Sequence, residues 1–328
     1  MSWGFAEVWT ASLLEIEQRP MKARDNLWAS ELGKAPIDLY LKLKGTEPTN
    51  PPNARSLRKF EAGNVFEWIV GLILKRAGIL QESQKWCSYQ YPGMLKVTGK
   101  ADYIAGGKPD FDKALAEMEQ LDLPKIFLKA TENIKKHLQG QELAEMPLEI
   151  KSVSSFMFDL LEFNKTASKI HRLQTFHYLK AENRPRANIV YICRDDLRMM
   201  EIPVINDAET EAEYKKTIEN ISKYILADEK PPLEKHVIFD EDYNKFAKNF
   251  NVAYSGYLTM LYGFKDQMEF DEMYMPKVSR WNRVMQRVKD GAKMTEKNLA
   301  VIDEINKEGF DVTAIAEKFT SSKIEDEE

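Results

Sequence analysis

Two strand-like stretches carry ionisable side chains where a packed sheet would want apolar ones, and they constrain this chain more than any other feature. Leu95 to Ala105, LKVTGKADYIA, has the period of a half-buried strand and runs into Gly106 and Gly107. Gly99 interrupts it, which predicts a bulge or a close backbone approach. The second stretch, LEIKSV, opens after Pro147. Side chains alternate along a strand, so Glu149 and Lys151 share one face and Ile150 points into the opposite, apolar layer. Asp102 holds a comparable place in the first stretch. Charges set into apolar strands conflict with core packing, and such conflicts mark where a functional site is expected.

The surroundings of these stretches are helical. From Ser56 to Ala77, Phe66, Val70, Ile73, Leu74 and Ala77 fall on one face, and Gly78 ends the helix. Asn164 to Glu182 reads as a helix stopped before Pro185. Ala187 to Cys193 and Leu197 to Val204 read as strands about a polar turn at Arg194, Asp195 and Asp196, and Ala208 to Ala227 as a further helix. Helix, strands, helix, strands, helix is the order of a layered α/β core, a central mixed β-sheet flanked by helices. The predicted organisation is an N-terminal helical region (1–55, with Leu13, Leu14 and Ile16, then Ile37 to Leu43) and a core over 56–230. Within the core, 106–146 is a charged helical insertion with a break near Pro124. A helical region rich in Tyr and Met (231–320) and an acidic tail (321–328) follow.

Of the 328 residues, 43% are hydrophobic and 30% charged, which supports a sizeable core and excludes global disorder. The longest clean apolar run, Trp68 to Leu74, is far too short to span a bilayer, and no basic-then-apolar leader opens the sequence, so no membrane partner and a cytoplasmic location are expected. The two cysteines, Cys87 and Cys193, make neither a disulfide framework nor a tetrahedral thiolate site, and read as small buried hydrophobes. Lys and Arg number 47 against 52 Asp and Glu, a formal net charge of −5, so nucleic acid could be bound through a local basic face but not by bulk charge. Lys277 to Lys297 offers such a face: Arg280, Arg283 and Arg287 fall on one side of a helix, with Trp281, Val284 and Val288 on another. A phosphate-tracking surface and a solvated amphipathic helix both fit it.

The chemistry that uses two carboxylates and a lysine in this arrangement is metal-assisted phosphodiester hydrolysis. Carboxylates are hard oxygen ligands for Mg²⁺, and the lysine can orient water or stabilise charge developing on the phosphate. Two further patterns stand on neighbouring helices. Glu67, at the end of Gly63-Asn-Val-Phe-Glu67, falls at the edge of the apolar arc of Phe66, Val70 and Leu74, where a carboxylate is costly unless paired or metal-bound; Gly63 and Gly71 would leave room beside it. Gln174 and Tyr178 are four apart and share a helix face, from which they could hold a phosphate or stack on a base.

Asp102, followed by Glu149-Ile150-Lys151, resembles the D…(D/E)-x-K signature of the PD-(D/E)XK nuclease superfamily. Gly99-Lys-Ala-Asp102 matches the G-x-x-D form of its RecB-like branch, Gln174 to Tyr178 its Q-x-x-x-Y motif, and Gly63 to Glu67 its upstream G-x-x-x-(H/E) motif. The four occur in the family's order between about Ser56 and Val204. The resemblance extends to phage-type, CRISPR-associated and mitochondrial-genome-maintenance-type exonucleases. It implies a restriction-endonuclease-like core in which Asp102, Glu149 and the Ile150 carbonyl bind Mg²⁺, with Mn²⁺ as a substitute. Glu67 would complete the site or hold a second ion, Lys151 would assist the attacking water, and Gln174 and Tyr178 would hold the DNA strand. The stretch between Asp102 and Glu149 is longer than the family's usual hairpin, which leaves Asp110, Asp112 and Asp122 as alternatives to Asp102. Two cysteines cannot supply the four ligands of an iron–sulfur cluster, so none is expected. Gly93 to Lys100 fails as a phosphate loop, so no helicase motor is expected either.

The leading expectation is a Mg²⁺-dependent DNA exonuclease giving 5′-phosphate products, in recombination, repair or phage DNA processing, alone, as a homo-oligomer or with a recombination partner protein. A structure-specific or restriction-type endonuclease on the same core, and an inactive DNA-binding or scaffold protein, are the alternatives.

Overall fold

The computed structural model describes residues 9, 11–13, 20–120, 125–241 and 244–317, without the side chains of 125–128. Leu14, Ile16, Asp122, Pro124 and the acidic tail lie outside the described residues. The chain forms two compact units, one of Met1–Glu47 with Pro52–Pro231, the other of Pro48–Pro51 with Pro232–Glu328.

In the first unit the elements run β1 (Asn26–Trp28), α1 (Pro36–Leu43), α2 (Ala54–Arg76), β2 (Leu80–Tyr89), β3 (Lys96–Gly107), α3 (Phe111–Glu119), α4 (Lys125–Leu138), β4 (Leu143–Val153), α5 (Ser155–Asn164), α6 (Lys169–Ala181), β5 (Arg186–Cys193), β6 (Met199–Ile205) and α7 (Ala208–Leu226). The strands form one mixed sheet in the order β1-β3-β4-β5-β6, with β2 on the other edge of β3. β1–β3 and β4–β5 are parallel; β2–β3, β3–β4 and β5–β6 are antiparallel. Helices cover both faces, the arrangement a restriction-endonuclease-like core requires.

Two apolar layers make the core. On one face, Leu173, Phe176 and Leu179 of α6 and Tyr214, Ile218 and Ile221 of α7 pack on Val97, Ala101, Ile189 and Tyr191. On the other, Val70 and Leu74 of α2 pack on Tyr103, Leu148, Ile150 and Val190. Ile150 therefore sits in the α2 layer, as strand alternation predicts. Asn53 caps α2 by accepting from the Ser56 amide, and Asp207 caps α7 through Thr210. α2 ends before Gly78, whose φ of +68° and whose approach to the Asp110 backbone (2.5 Å from where a Cβ would stand) admit only glycine.

Four sequence expectations are corrected. Residues 26–28 are not helical but form β1, whose three residues gain their ladder only from β3. The helix expected over 164–182 begins only at Lys169 as α6, and an unforeseen helix, α5, ends at Asn164, where Lys165 takes a left-handed conformation with φ +54°. The strand expected after Pro147 begins at Leu143, and Pro147 pairs with Ile104 one step before β5 takes over the far edge. A strand at 80–89, unforeseen, pairs along nearly the whole of β3.

The second unit also departs from expectation. Its all-helical reading fails at a hairpin, β7 (Val237–Asp240) and β8 (Lys245–Lys248), beside the helices α8 (Phe250–Ala253), α9 (Leu258–Tyr262), α10 (Gln267–Lys289) and α11 (Glu296–Lys307). Phe246 of β8 meets the fully buried Trp281 of α10 edge-on at 5.0 Å, in a core completed by Val237, Val278, Met285 and Ile305. Among the described residues, no helix is long and apolar enough to cross a membrane.

Candidate active site

The site stands where the sheet comes apart. β3 and β4 are registered from Gly107↔Leu143 to Tyr103↔Leu148 and no further. Beyond that point β4 continues on β5, from Leu148↔Asn188 to Val153↔Cys193, while the same edge of β3 is taken up again by β1 at Lys96 to Thr98. Gly99 to Asp102 face the opening between them. A backbone amide at such a fork must find another acceptor, and the Ile150 N–H donates to Asp102 Oδ2 at 2.7 Å. Asp102 thus reaches the strand that carries Glu149 and Lys151. Asp110 instead caps α3 by accepting from Lys113, and Asp112 is exposed on that helix.

Glu149 is 1% exposed. Its Oε1 lies 2.5 Å from Lys151 Nζ, the same-face pair that the strand period predicts. Its Oε2 is buried and, among the described residues, has no hydrogen-bond partner. A buried carboxylate oxygen left without a donor is unfavourable by about 1–3 kcal/mol or more. Burial, and to a lesser degree the field of Glu67, push the Glu149 carboxyl above its usual range, against the pull of Lys151. Burial acts to depress the Lys151 ammonium, but Glu149, Asp102 and Glu67 together outweigh it and hold the group charged.

Behind this pair, α6 supplies Gln174 and Tyr178. Both are buried, and Gln174 Nε2 donates to Tyr178 Oη at 2.9 Å. A Cβ at Gly99 would stand 2.9 Å from Tyr178 Cε1 and 2.9 Å from the Ala29 Cβ, so the glycine in the strand is the close approach its position predicts. Burial first, then the charges of Glu149 and Asp102, push the Tyr178 phenol upward and keep it protonated. Tyr178 is 1% exposed, so it supports Glu149 from within the core. His171, one turn before Gln174, has Nδ1 2.9 Å from Tyr191 Oη; burial and the Lys151 charge lower it to about 3, so it is neutral.

Glu67 approaches from α2, partly exposed. Its Oε1 accepts from Gln84 Nε2 of β2 at 2.6 Å, and its backbone carbonyl accepts from Tyr103 Oη at 2.8 Å. Gly71 makes the second contact possible, since a Cβ there would lie 2.3 Å from Tyr103 Oη. Gly63 plays no such part: a Cβ would lie 3.8 Å from Ser152 Oγ, an ordinary contact. Burial raises the Glu67 carboxyl, against Gln84 and Lys151. Asp102 is raised well above its usual range by burial, then by Glu149, then by Glu67, despite the Ile150 amide and Lys151. Sequence reasoning did not find Gln84 or Tyr103, and only the neighbourhood of Tyr103 to Asp102 hinted at the latter.

Three carboxylates raised by burial, two of them also by a neighbouring carboxylate, around a single lysine form a site short of positive charge. Their oxygens, with the Ile150 carbonyl between Glu149 and Lys151 in sequence, are the hard donors Mg²⁺ prefers, and the unpartnered Glu149 Oε2 is a free position for it. Among the described residues, no three His, Cys, Asp or Glu side chains stand grouped closely enough to make a finished metal site. Glu149 is turned onto Lys151 and Glu67 onto Gln84. Arg280, Arg283 and Arg287 belong to the second unit. Arg280 is ion-paired to Glu304, Arg287 donates to the Lys293 carbonyl at 2.9 Å, and Arg283 is exposed.

No family model and no curated protein matches the sequence. Among solved structures, the chain is similar to a protein described as SSO0001, at 16% identity over 67% of this chain and 85% of that one, with a TM-score of 0.39. It is also similar to the alkaline exonuclease LHK-Exo from Laribacter hongkongensis, at 14% identity over 68% of this chain and 93% of that one, with a TM-score of 0.38. The same exonuclease in complex with dAMP gives 13% identity, the same coverage and a TM-score of 0.38. Likenesses this weak leave the functional reading to the carboxylate cluster.

Proposed function

We propose that this chain is a divalent-metal-dependent nuclease that hydrolyses DNA phosphodiester bonds from a strand end, leaving 5′-phosphates. The observation that carries the reading is the fork itself: Asp102, Glu149 and Glu67 share one electrostatic field with Lys151, and a buried carboxylate oxygen awaits a partner. Asp102, Glu149 and the Ile150 carbonyl would hold Mg²⁺, or Mn²⁺ in its place, with Glu67 completing the set. The ion, when bound, polarises the phosphate and lowers the pKa of its water. Lys151, charged and partly exposed, would orient water towards phosphorus and stabilise negative charge on the phosphate oxygens. Gln84 and Tyr103 hold Glu67 in place, and the Gln174–Tyr178 pair keeps the wall behind Glu149 closed. In the second unit, the exposed Arg283 would bind a backbone phosphate, and Arg280 and Arg287 would do so on leaving their present partners.

The test is digestion of end-labelled linear DNA and covalently closed circular DNA by the wild type and by Lys151→Ala and Asp102→Ala. Metal-dependent loss of nucleotides from the linear substrate only, slowed at least about 10²-fold in both variants with the fold intact, is the expected result. Cutting of the circle would make it an endonuclease, and undiminished cleavage by either variant would reject the site. Binding without cleavage in Mg²⁺ and Mn²⁺ would make it a DNA-binding protein.

A further inference from the structure

On the α2 face of the sheet, beside the fork, lies an aromatic shelf that the proposed hydrolysis does not use. Trp86 of β2 is 60% exposed. Its strand neighbours point the other way: Lys85 Nζ reaches Glu182 at 3.0 Å, and Cys87 is buried in the layer with α6. Trp86 therefore shares its face with Gln84, whose side chain holds Glu67. The Trp28 indole of β1 lies 5.6 Å from it, centroid to centroid, at 42°. Each ring carries a cation: Lys100 Nζ stands 4.8 Å from the Trp86 centroid, and Arg24 Cζ 5.9 Å from that of Trp28. Lys100 is cross-strand partner to Trp86 and two residues from Asp102 along β3, about 7 Å in an extended strand.

An indole left this far in water adds little to the core, and its position calls for a ligand with a flat π-face. The Arg24 guanidinium is already ion-paired to Glu31, so it is the Lys100 ammonium that calls for negative charge on that same ligand, two residues from Asp102. We propose that Trp86, with Trp28 and Lys100, binds an unpaired nucleic-acid strand, a base stacking on Trp86 while Lys100 takes a phosphate. Bases within a duplex have both faces covered by their neighbours, so the shelf selects a single strand or a frayed end. This deepens the nuclease reading and rests on it for the direction of the strand, which runs from the shelf into the fork.

The test measures binding of a fluorescein-labelled oligodeoxythymidine and of a blunt hairpin duplex to the full chain in EDTA, by anisotropy, beside cleavage of the same oligomer in Mg²⁺. Trp86→Ala is expected to weaken single-strand binding about 10-fold, in the range for loss of one base–aromatic stack. Trp86→Phe should retain most of the affinity, and Lys100→Ala should flatten the salt dependence. Equal single-strand affinity for the wild type and Trp86→Ala, or a blunt duplex bound as tightly as the oligomer, would overturn the proposal. Trp86-dependent binding without cleavage would uphold the shelf and remove the nuclease reading. Cleavage with binding indifferent to Trp86 would do the reverse. Circular dichroism of both tryptophan variants separates a lost contact from a lost fold.

Discussion

Replacing Asp102 by asparagine should make the metal-free protein more stable while depriving it of its metal. Asp102 is pushed well above the ordinary aspartate range of about 3.9, first by burial, then by Glu149 and Glu67. A group whose folded value is raised binds its proton more tightly in the fold. Its contribution to stability is present below the unfolded value and lost as pH rises through the folded one. At pH 8, therefore, the metal-free fold holds a carboxylate that it would rather protonate. Asparagine removes the charge and keeps an oxygen to accept from the Ile150 amide, which now donates at 2.7 Å. A buried charged group short of donors is unfavourable by about 1–3 kcal/mol or more. Taking about 2 kcal/mol, and about 2–4 °C per kcal/mol for a unit of this size, the melting temperature should rise by about 4–8 °C. Scanning calorimetry in EDTA would show this at pH 8, with the difference shrinking towards pH 4. Mg²⁺ at one hundred times its Kd should then stabilise the wild type by about 2.7 kcal/mol and leave the variant nearly unmoved. A variant that melts below the wild type at pH 8 in EDTA would refute the reasoning, because it would mean that Asp102 is stabilised in the fold by partners rather than strained by like charges.

Three other outcomes follow from the same geometry. Lys151→Ala removes the only cation paired with Glu149 among the described residues, so besides a 10²- to 10³-fold loss of cleavage, of the order one stabilising group contributes, urea denaturation should show about 3–5 kcal/mol lost. Gly99→Ala forces a methyl against Tyr178 and Ala29, and should lower stability by about 1–3 kcal/mol in the same assay, with a neutral result arguing against the close approach. Burial raises Asp102, Glu149 and Glu67, and like charge adds to it at Asp102 and Glu149, so Mg²⁺ competes with protons for the site; its affinity by calorimetry should rise with pH, and a flat profile would contradict the shifts.

The carboxylates and the lysine were legible because each violates a local rule. Glu149 and Lys151 sit on one face of an apolar strand, Asp102 follows a glycine that a strand should not contain, and Glu67 intrudes on the apolar arc of a helix. What was not legible has the converse property. β2 is mostly exposed, with Cys87 its one buried residue, so its alternation has no continuous apolar face to display, and its identity as a strand comes from β3. β1 is three residues long, and the β7–β8 hairpin consists of two four-residue strands, too short for a period to emerge. Gln84 and Trp86 stand on the strand that had no signature, which is why the support for Glu67 and the shelf beside it emerge only from the fold. Gln174 and Tyr178 were placed correctly on one helix face, but periodicity alone does not distinguish a face that lines a pocket from one that walls it.

The long separation between Asp102 and Glu149, the largest departure from a simple hairpin, is absorbed by the sheet before it reaches the site. α3 and α4 leave β3 after Gly107 and return to β4 at Leu143, and those two residues are themselves paired. From there the ladder through Ala105↔Met146, Ile104↔Pro147 and Tyr103↔Leu148 restores the register a short turn would have set. Closing a longer loop adds entropy only logarithmically, about 0.6 kcal/mol for each doubling, so two helices can be housed there at little expense to the pairing. Gly106, with φ +132° and a backbone neighbour 2.5 Å from where its Cβ would be, absorbs the irregularity at the ladder's outer end. The fork lies at the other end, beyond Tyr103↔Leu148, and its geometry depends on where that ladder stops rather than on what connects its strands. Changes within α3 and α4 should therefore leave the carboxylates in place, whereas a bulky residue at Gly106, which would shift the register, should displace Asp102 from the Ile150 amide and with it the whole site.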